Sequence, residues 1–189
     1  DHIKVIRAGW AGMYEIGRLR IYLDQPTSEK LVHAFITSHI DYCNSLLTGS
    51  PDTDISRLQR LQNASARIIT RTKRHEHITP ILQNLHWLPV HLRISFKLLL
   101  LMYKCINDQA PSYLQEHVIP YTPTRQLRSA THNLVVQPKV LSQSYGERSF
   151  SFIGPSLWNA LPHRIKTSPS VDSFKISLKS YLFQEHFKS

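Results

Sequence analysis

The sequence has few cysteines and no long apolar run. Cys43 and Cys105 are its only cysteines, which excludes a disulfide framework and a cysteine-based zinc site and favours a reducing compartment. The longest unbroken apolar run covers residues 98–103. A membrane-spanning helix needs roughly 20 apolar residues. We therefore expect no membrane association.

Acidic residues are also scarce. Asp and Glu total 13 against 23 Lys and Arg, which gives a formal net charge of +10. This imbalance indicates an anionic partner, nucleic acid first. Hydrophobic residues make up 41% of the 189 positions, which is typical of a globular chain with one domain or two small ones. The N-terminus shows no signal-peptide pattern, and we interpret the chain as a fragment of a longer protein.

The usual signatures of enzymes are missing. The sequence contains no glycine-rich phosphate loop, no Asp-Asp pair and no Gly-x-Ser-x-Gly elbow. His75-Glu76-His77 does not have the spacing of the His-Glu-x-x-His zinc motif, which places two histidines on one helical face. We therefore expect no catalytic residue, no metal, no cofactor and no small-molecule substrate.

Hydrophobic periodicity predicts a mainly α fold, an irregular assembly of several helices. Predicted helices cover 2–22, 28–47 after a cap at Thr27 or Ser28, 52–71, 79–88, 90–107, one turn after Ser112, and a last helix capped by Ser170. Prolines between 120 and 169 forbid long helices there. We predict a small mixed segment near 130–155, with short strands at 134–136 and 149–152, followed by a helical turn around Trp158.

The helix predicted over 52–71 has two contrasting faces. One arc carries the apolar residues Ile55, Leu58, Leu61, Ile68 and Ile69. Another carries the arginine stripe, which consists of Arg57, Arg60, Arg67 and Arg71, with Lys73 and Arg74 beyond it. No acid occurs between Asp54 and Glu76, so intrahelical salt bridges do not account for the stripe. We predict that it contacts phosphates, with a solvated face as the alternative.

Several further residues have weaker signals. Three arginines are weaker candidates for nucleic-acid contact: Arg125, Arg128 and Arg148. Tyr121, Tyr145 and Trp158 can stack on bases, but packing is the favoured role. Cys43 is predicted to be buried. Asp41 can serve as a general base, although a cap or a polar contact to a basic helix is favoured.

Ordered sequence blocks resemble the polyproteins of LINE-type (non-LTR) retrotransposons, in the jockey-like and chicken-repeat-like branch. The longer blocks are LVHAFITS at 31–38, DYCNSLL at 41–47, RLQRLQNA at 57–64, HITPIL at 77–82, LHWLPV at 85–90, APSYL at 110–114 and LWNALP at 157–162. Shorter blocks are LRS at 127–129, YG at 145–146, SFK at 173–175 and LK at 178–179. The resemblance extends over essentially the whole chain.

The resemblance implies the part of a reverse transcriptase that follows the polymerase palm. It assigns residues 1–75 to a helical thumb-like region, 76–120 to a buried helical segment and 121–189 to a C-terminal extension. The family's catalytic Phe/Tyr-x-Asp-Asp turn lies upstream of this stretch, so the resemblance carries over no catalytic residue. The implied partners are RNA or an RNA–DNA hybrid and the palm of the parent polyprotein, in cytoplasm and nucleus.

Two alternatives remain open at the level of sequence. In the first alternative, the chain has a purely structural role: it braces a polymerase domain or docks a protein partner. Its arginines then pair with acidic residues of that partner. It can also be a decayed element fragment without function. An exposed apolar patch would favour the bracing role, whereas a continuous positive groove would favour nucleic-acid binding.

Overall fold

A computed structural model describes residues 2–122, 133–139 and 149–188. The chain divides into two compact units, residues 1–93 with 185–189 and residues 94–184. The described helices are α1 (His2–Leu19), α2 (Gln25–Val32), α3 (Ser38–Asp41), α4 (Asp52–Thr70), α5 (Ile78–Asn84), α6 (Val90–Ile106), α7 (Ser112–Gln115), α8 (Phe150–Ala160), α9 (His163–Lys166) and α10 (Val171–Phe187). The predicted mainly α fold is confirmed. The division into three polymerase-derived regions stays a prediction.

Helix α4 forms the centre of the first unit. Leu58, Leu61 and Ile69 are buried, as the periodicity predicted, and α1, α2 and α5 pack against this helix. At Gly9 of α1, an added Cβ would lie 2.4 Å from Cδ2 of Leu61. The glycine therefore allows α1 to approach α4 more closely than any other residue would.

The second predicted helix begins earlier than expected and is interrupted. Asp24, rather than Thr27 or Ser28, is the N-cap, because its Oδ1 accepts a hydrogen bond from the Thr27 N–H at 3.0 Å. The chain continues from α2 through a π-helical segment (His33–Thr37) into α3. Tyr42 then adopts an extended backbone, which ends the helix, and Cys43 follows in a left-handed conformation with φ 52°. The predictions of a continuous helix and of a buried Cys43 are wrong, since this turn leaves the thiol exposed.

The segment after α5 is held by polar contacts to α4. His86 has a positive φ of 53°, and Trp87 is buried beyond it. Gln62 of α4 donates from Nε2 to the carbonyl oxygen of Leu88 at 2.9 Å. At the start of α6, Arg93 pairs with Asp41, so the favoured polar contact of Asp41 to a basic helix is confirmed.

The second unit has an aromatic core. Trp158 and Phe174 are fully buried, and the ring of Tyr103 stacks on Phe174 with centroids 4.3 Å apart. The cap predicted for the last helix is confirmed, because Ser170 Oγ accepts a hydrogen bond from the Ser173 N–H at 3.2 Å.

The strand predicted at 149–152 is wrong, because α8 begins at Phe150. The N–H groups of Phe152 and Ile153 donate to the carbonyl oxygen of Ser149 at 3.1 and 3.0 Å, which starts the helix. Gly154 and Trp158 are one turn apart and both are buried on one face of this helix. The helical period therefore determines the structure here, and not the alternation of polar and apolar residues at 149–152.

The strand predicted at 134–136 is reduced to a single antiparallel bridge within the described residues. It joins Pro120 to Val135. Its flanking hydrogen bonds run from Tyr121 N–H to Leu134 O at 2.9 Å and from Val136 N–H to Ile119 O at 2.8 Å.

Candidate nucleic-acid interface

The arginine stripe differs between the two halves of α4. In the first half, Arg57 and Arg60 are exposed. Arg57 Nη1 lies 3.2 Å from Asp54 Oδ1 in an i, i+3 pair, so the expectation that intrahelical salt bridges play no part is wrong for this residue. The Arg60 side chain makes no hydrogen bond or ion pair with any described residue. Arg60 is thus the freer cation of the two.

In the second half of α4, Arg67 is partly buried. Its Nη2 donates to the carbonyl oxygen of Glu76 at 3.0 Å, which ties the helix to the loop after it. Its Nε is buried and has no hydrogen-bond partner among the described residues. A buried N–H without an acceptor is costly, typically about 1–3 kcal/mol. Because this atom is shielded from solvent, Arg67 contributes to the surface mainly through its positive charge.

Arg71 is placed by the backbone turn that ends α4. It is the C-cap, with φ 55°, and its N–H donates to the carbonyl oxygen of Arg67. Its Nη2 lies 3.3 and 3.4 Å from the carbonyl oxygens of Arg20 and Leu23. Because the helix ends here, Arg74 lies in the following loop and does not continue the helical arc.

The loop after α4 carries the last two predicted cations, Lys73 and Arg74. The backbone N–H of Lys73 donates to Glu76 Oε1 at 3.1 Å, which holds that carboxylate against the loop backbone. Both Lys73 and Arg74 are exposed, and their side chains make no hydrogen bond or ion pair within the described part of the chain. They are therefore available to an external anion.

Arg20, which the sequence analysis did not select, lies beside this group. It is only 9% exposed, and its guanidinium donates from Nε to Ile68 O at 2.7 Å and from Nη2 to Ile69 O at 2.6 Å. Burial, followed by the charge of Arg71, lowers the pKa of Arg20, while Asp24 raises it. The sequence shows a basic residue just after a helix. It does not show that the partner of this residue is a carbonyl group 48 residues further along the chain.

These arginines surround one open pocket of about 430 Å³. Arg20, Arg67, Arg71 and Arg74 supply the cationic part of its lining. The remaining lining residues are Met13, Gly17, Ala64, Ile68 and Thr72, so no Asp or Glu among the described residues lines the pocket. The pocket lies where α1 and α4 both end, within the first unit.

The four guanidiniums that line the pocket outnumber the negative charges beside them. The C-terminus of a helix carries about half a negative charge, and Arg20 is bonded to the last carbonyls of α4. The other guanidiniums exceed what this helix end can neutralise. Asp24, which interacts with Arg20, and Glu76 are the carboxylates identified nearby. An anionic group is therefore the complementary ligand for this pocket.

Of the remaining nucleic-acid candidates, only Tyr121 and Trp158 lie in the part of the chain that the structure describes. Arg125, Arg128, Arg148 and Tyr145 lie outside the described residues. Tyr121 is 43% exposed. Trp158 is buried and donates from Nε1 to the carbonyl oxygen of Asn133 at 2.8 Å, so its predicted packing role is confirmed.

The described residues form neither a metal-binding cluster nor a membrane-spanning helix. They contain no group of three or more His, Cys, Asp or Glu side chains arranged to hold a metal ion. None of their helices combines the length and apolar character needed to cross a membrane. Comparisons with family models, curated proteins and solved structures found no match to this chain.

Proposed function

We propose that this chain is a non-catalytic segment of a non-LTR retrotransposon reverse transcriptase that binds the backbone of RNA or an RNA–DNA hybrid. One observation carries the binding proposal. Arg67, Arg71 and Arg74 line one pocket together with the buried Arg20, and no carboxylate from the described part of the chain joins them there. The sequence blocks support the family origin, and the implied places of action are cytoplasm and nucleus.

The contacts give the cations different roles. Arg60 and Arg74 are free to bind phosphate oxygens in a bidentate manner. Arg67 and Arg71 are held by carbonyl groups and present fixed positive charge. Arg57 shares its charge with Asp54, and Lys73 adds a further cation. Because phosphates are the same at every base pair, such contacts favour binding without sequence preference.

A salt titration of binding to a labelled RNA–DNA hybrid, read by fluorescence anisotropy, tests this proposal. The test variant is Arg60→Ala/Arg74→Ala, which removes the two free guanidiniums. The control is Arg7→Ala/Lys30→Ala, which removes the same charge from exposed positions on α1 and α2. Each phosphate contact contributes about one unit to the slope of log affinity against log salt.

We expect a steep slope for the natural chain and the control, and a slope shallower by about 2 units for the test variant. Two hybrids of unrelated sequence are expected to lose affinity equally. An equal slope for test variant and control would contradict phosphate contact by Arg60 and Arg74. Loss of binding to only one hybrid would contradict sequence independence.

A second candidate function, bracing of the parent polymerase domain, is favoured by the exposed apolar side chains of the first unit. Trp10 is 40% exposed and Tyr14, one turn later on α1, is 66% exposed. Ile21 and Tyr22 follow at 73% and 82%. Such residues are typical of a surface that packs against another protein domain.

The two functions are separable by mutation. Trp10→Ser/Tyr14→Ser is expected to weaken co-purification with a co-expressed palm domain while hybrid affinity stays constant. If the variant instead loses hybrid affinity to the same degree as it loses co-purification, these aromatic residues belong to the nucleic-acid surface. The bracing role is then rejected.

A further inference from the structure

We infer that the pocket between the ends of α1 and α4 receives a terminal phosphate monoester of a nucleic-acid strand. This inference rests on the proposed function, because it assigns a specific group of the same ligand to the arginine-lined pocket. It goes beyond backbone binding in one respect. It predicts that the protein distinguishes a phosphorylated strand end from a hydroxyl end.

The donors at the pocket are divided between holding the fold and serving a ligand. Arg20 gives Nε, Nη1 and Nη2 to the carbonyls of Ile68, Leu23 and Ile69, so it contributes charge rather than free N–H groups. Arg74 makes no bond within the described residues and has its five N–H donors free. Arg67 donates from Nη2 to the carbonyl oxygen of Glu76, and its guanidinium adds positive charge to the lining.

The charge favours a monoester over an internal phosphodiester. A terminal phosphate carries about −1.5 to −2 at neutral pH and offers three acceptor oxygens. An internal phosphodiester carries one negative charge. The lining contains four arginines and, within residues 2–122, 133–139 and 149–188, no carboxylate, which matches the higher charge. The exposed Arg57 and Arg60, in the N-terminal half of α4, do not line the pocket and are left to bind internal phosphates.

The size and the uncharged walls also fit a strand end. A volume of about 430 Å³ lies in the range of small-ligand pockets, about 300–1,000 Å³. Met13, Ala64 and Ile68 supply apolar wall beside the guanidiniums. A terminal nucleotide has matching parts: the flat face of its base is largely apolar, and its phosphate is charged.

The test compares strands that differ only at the end. One RNA–DNA hybrid carries a 5′-phosphate on its RNA strand. The second has a 5′-hydroxyl and is one base pair longer, so that its two added backbone phosphates, one in each strand, compensate the charge of the terminal phosphate. Both are measured with the natural chain, with Arg74→Ala and with Arg60→Ala. Nucleoside 5′-monophosphate is added as a competitor in a separate arm.

We expect the phosphorylated hybrid to bind at least about tenfold more tightly, the effect of an added charge-assisted contact. Arg74→Ala should reduce this ratio to about one, whereas Arg60→Ala should weaken both hybrids and keep the ratio. Arg74 is exposed, so the variant tests binding rather than folding.

Other outcomes overturn the inference in distinguishable ways. Equal, salt-dependent binding of both hybrids removes the terminal-phosphate site and leaves the proposed backbone binding intact. Absence of binding to either hybrid rejects the proposed function itself. Competition by the free mononucleotide as strong as by the phosphorylated hybrid identifies a small-molecule site and rejects recognition of a strand end.

Discussion

Arg20 donates from Nη2 to the carbonyl oxygen of Ile69 over 2.6 Å, so a side chain just beyond α1 closes the end of α4. Ile69 is fully buried and Arg20 nearly so, which keeps water from replacing this bond. The contact therefore fixes the position of the arginine-lined pocket and also stabilises the first unit.

Replacement of this guanidinium should be among the most destabilising single changes in the chain. Arg20→Met keeps most of the apolar stem and leaves the carbonyls of Ile68 and Ile69 without their donor. We expect a loss of about 2–4 kcal/mol in the free energy of unfolding, measured by urea denaturation. Arg60→Met, at an exposed position, should change it by less than about 0.5 kcal/mol. Equal effects of the two variants would show that the Arg20 bonds contribute little.

The glycines of α1 should respond to alanine with opposite signs. At Gly9 the new Cβ would meet Leu61 Cδ2 at 2.4 Å, and Leu61 is fully buried. At Gly12 the nearest atom, Phe35 Cβ, is 3.5 Å away, which is ordinary contact. Gly9→Ala should therefore cost about 1–3 kcal/mol, whereas Gly12→Ala should gain up to about 1 kcal/mol from helix propensity. Thermal unfolding of both variants checks the sign difference, and stabilisation by Gly9→Ala would refute close packing of α1 on α4.

Trp87 and Trp10 allow a comparison of the same substitution at a buried and at an exposed position of the first unit. Trp87 is 6% exposed, whereas Trp10 is 40% exposed. Trp87→Ala should lower the free energy of unfolding by about 3–5 kcal/mol. Trp10→Ala should lower it by about 1 kcal/mol or less. Chemical denaturation followed by circular dichroism measures both, and similar losses would contradict the burial difference.

The sequence predicted the long helices well, since their signal is local. The apolar arc of α4 contains Leu58, Leu61 and Ile69, and all three are buried. The break after Asp41 was missed because it depends on the backbone of two residues, the extended Tyr42 and the left-handed Cys43, which no glycine or proline marks. The helix at 150–160 was missed because prolines dominated the local pattern, although Pro155 is accommodated inside α8.

The candidate site was predictable in its residues but not in its geometry. Arg67, Arg71 and Arg74 could be selected because unpaired cations recur at helical spacing. Their convergence on one pocket depends on Arg20, whose bond partners lie 48 and 49 residues further along the chain. Such long-range contacts leave no periodic signal. The ion pair of Arg57 was missed because Asp54 lies just before the acid-free stretch, although it is three residues from Arg57 and so on the same face of the helix.

The two cysteines should differ sharply in reactivity. Cys43 is exposed, whereas Cys105 is buried, and burial raises the pKa of the Cys105 thiol. Because the thiolate is the reactive form, Cys105 is protected both by access and by protonation. A thiol-reactive dye should label one site rapidly in the native chain and the second only in denaturant. Cys43→Ser should abolish the rapid phase, and rapid labelling of that variant would contradict the burial of Cys105.

Lys166 should give the second unit a specific pH dependence. It is 5% exposed, its Nζ donates to the carbonyl oxygen of Asn159 at 3.1 Å, and burial lowers its pKa from the ordinary 10.5. The unfolded chain therefore binds this proton more tightly than the folded chain. The free energy of unfolding should rise with pH between the folded pKa and 10.5, because deprotonation removes the cost of a buried charge.

Lys166→Met should remove this rise. A buried methionine carries no proton to lose, and we expect the variant to be as stable as the natural chain, or more stable, at neutral pH. Urea unfolding of both chains at pH 7 and at about pH 9.5 measures the difference. Lys97→Met, at an exposed position of α6, is the control and should keep the pH dependence of the natural chain. If Lys166→Met and the natural chain gain equal stability over this interval, the pH dependence originates elsewhere and the ammonium of Lys166 is solvated in the folded state.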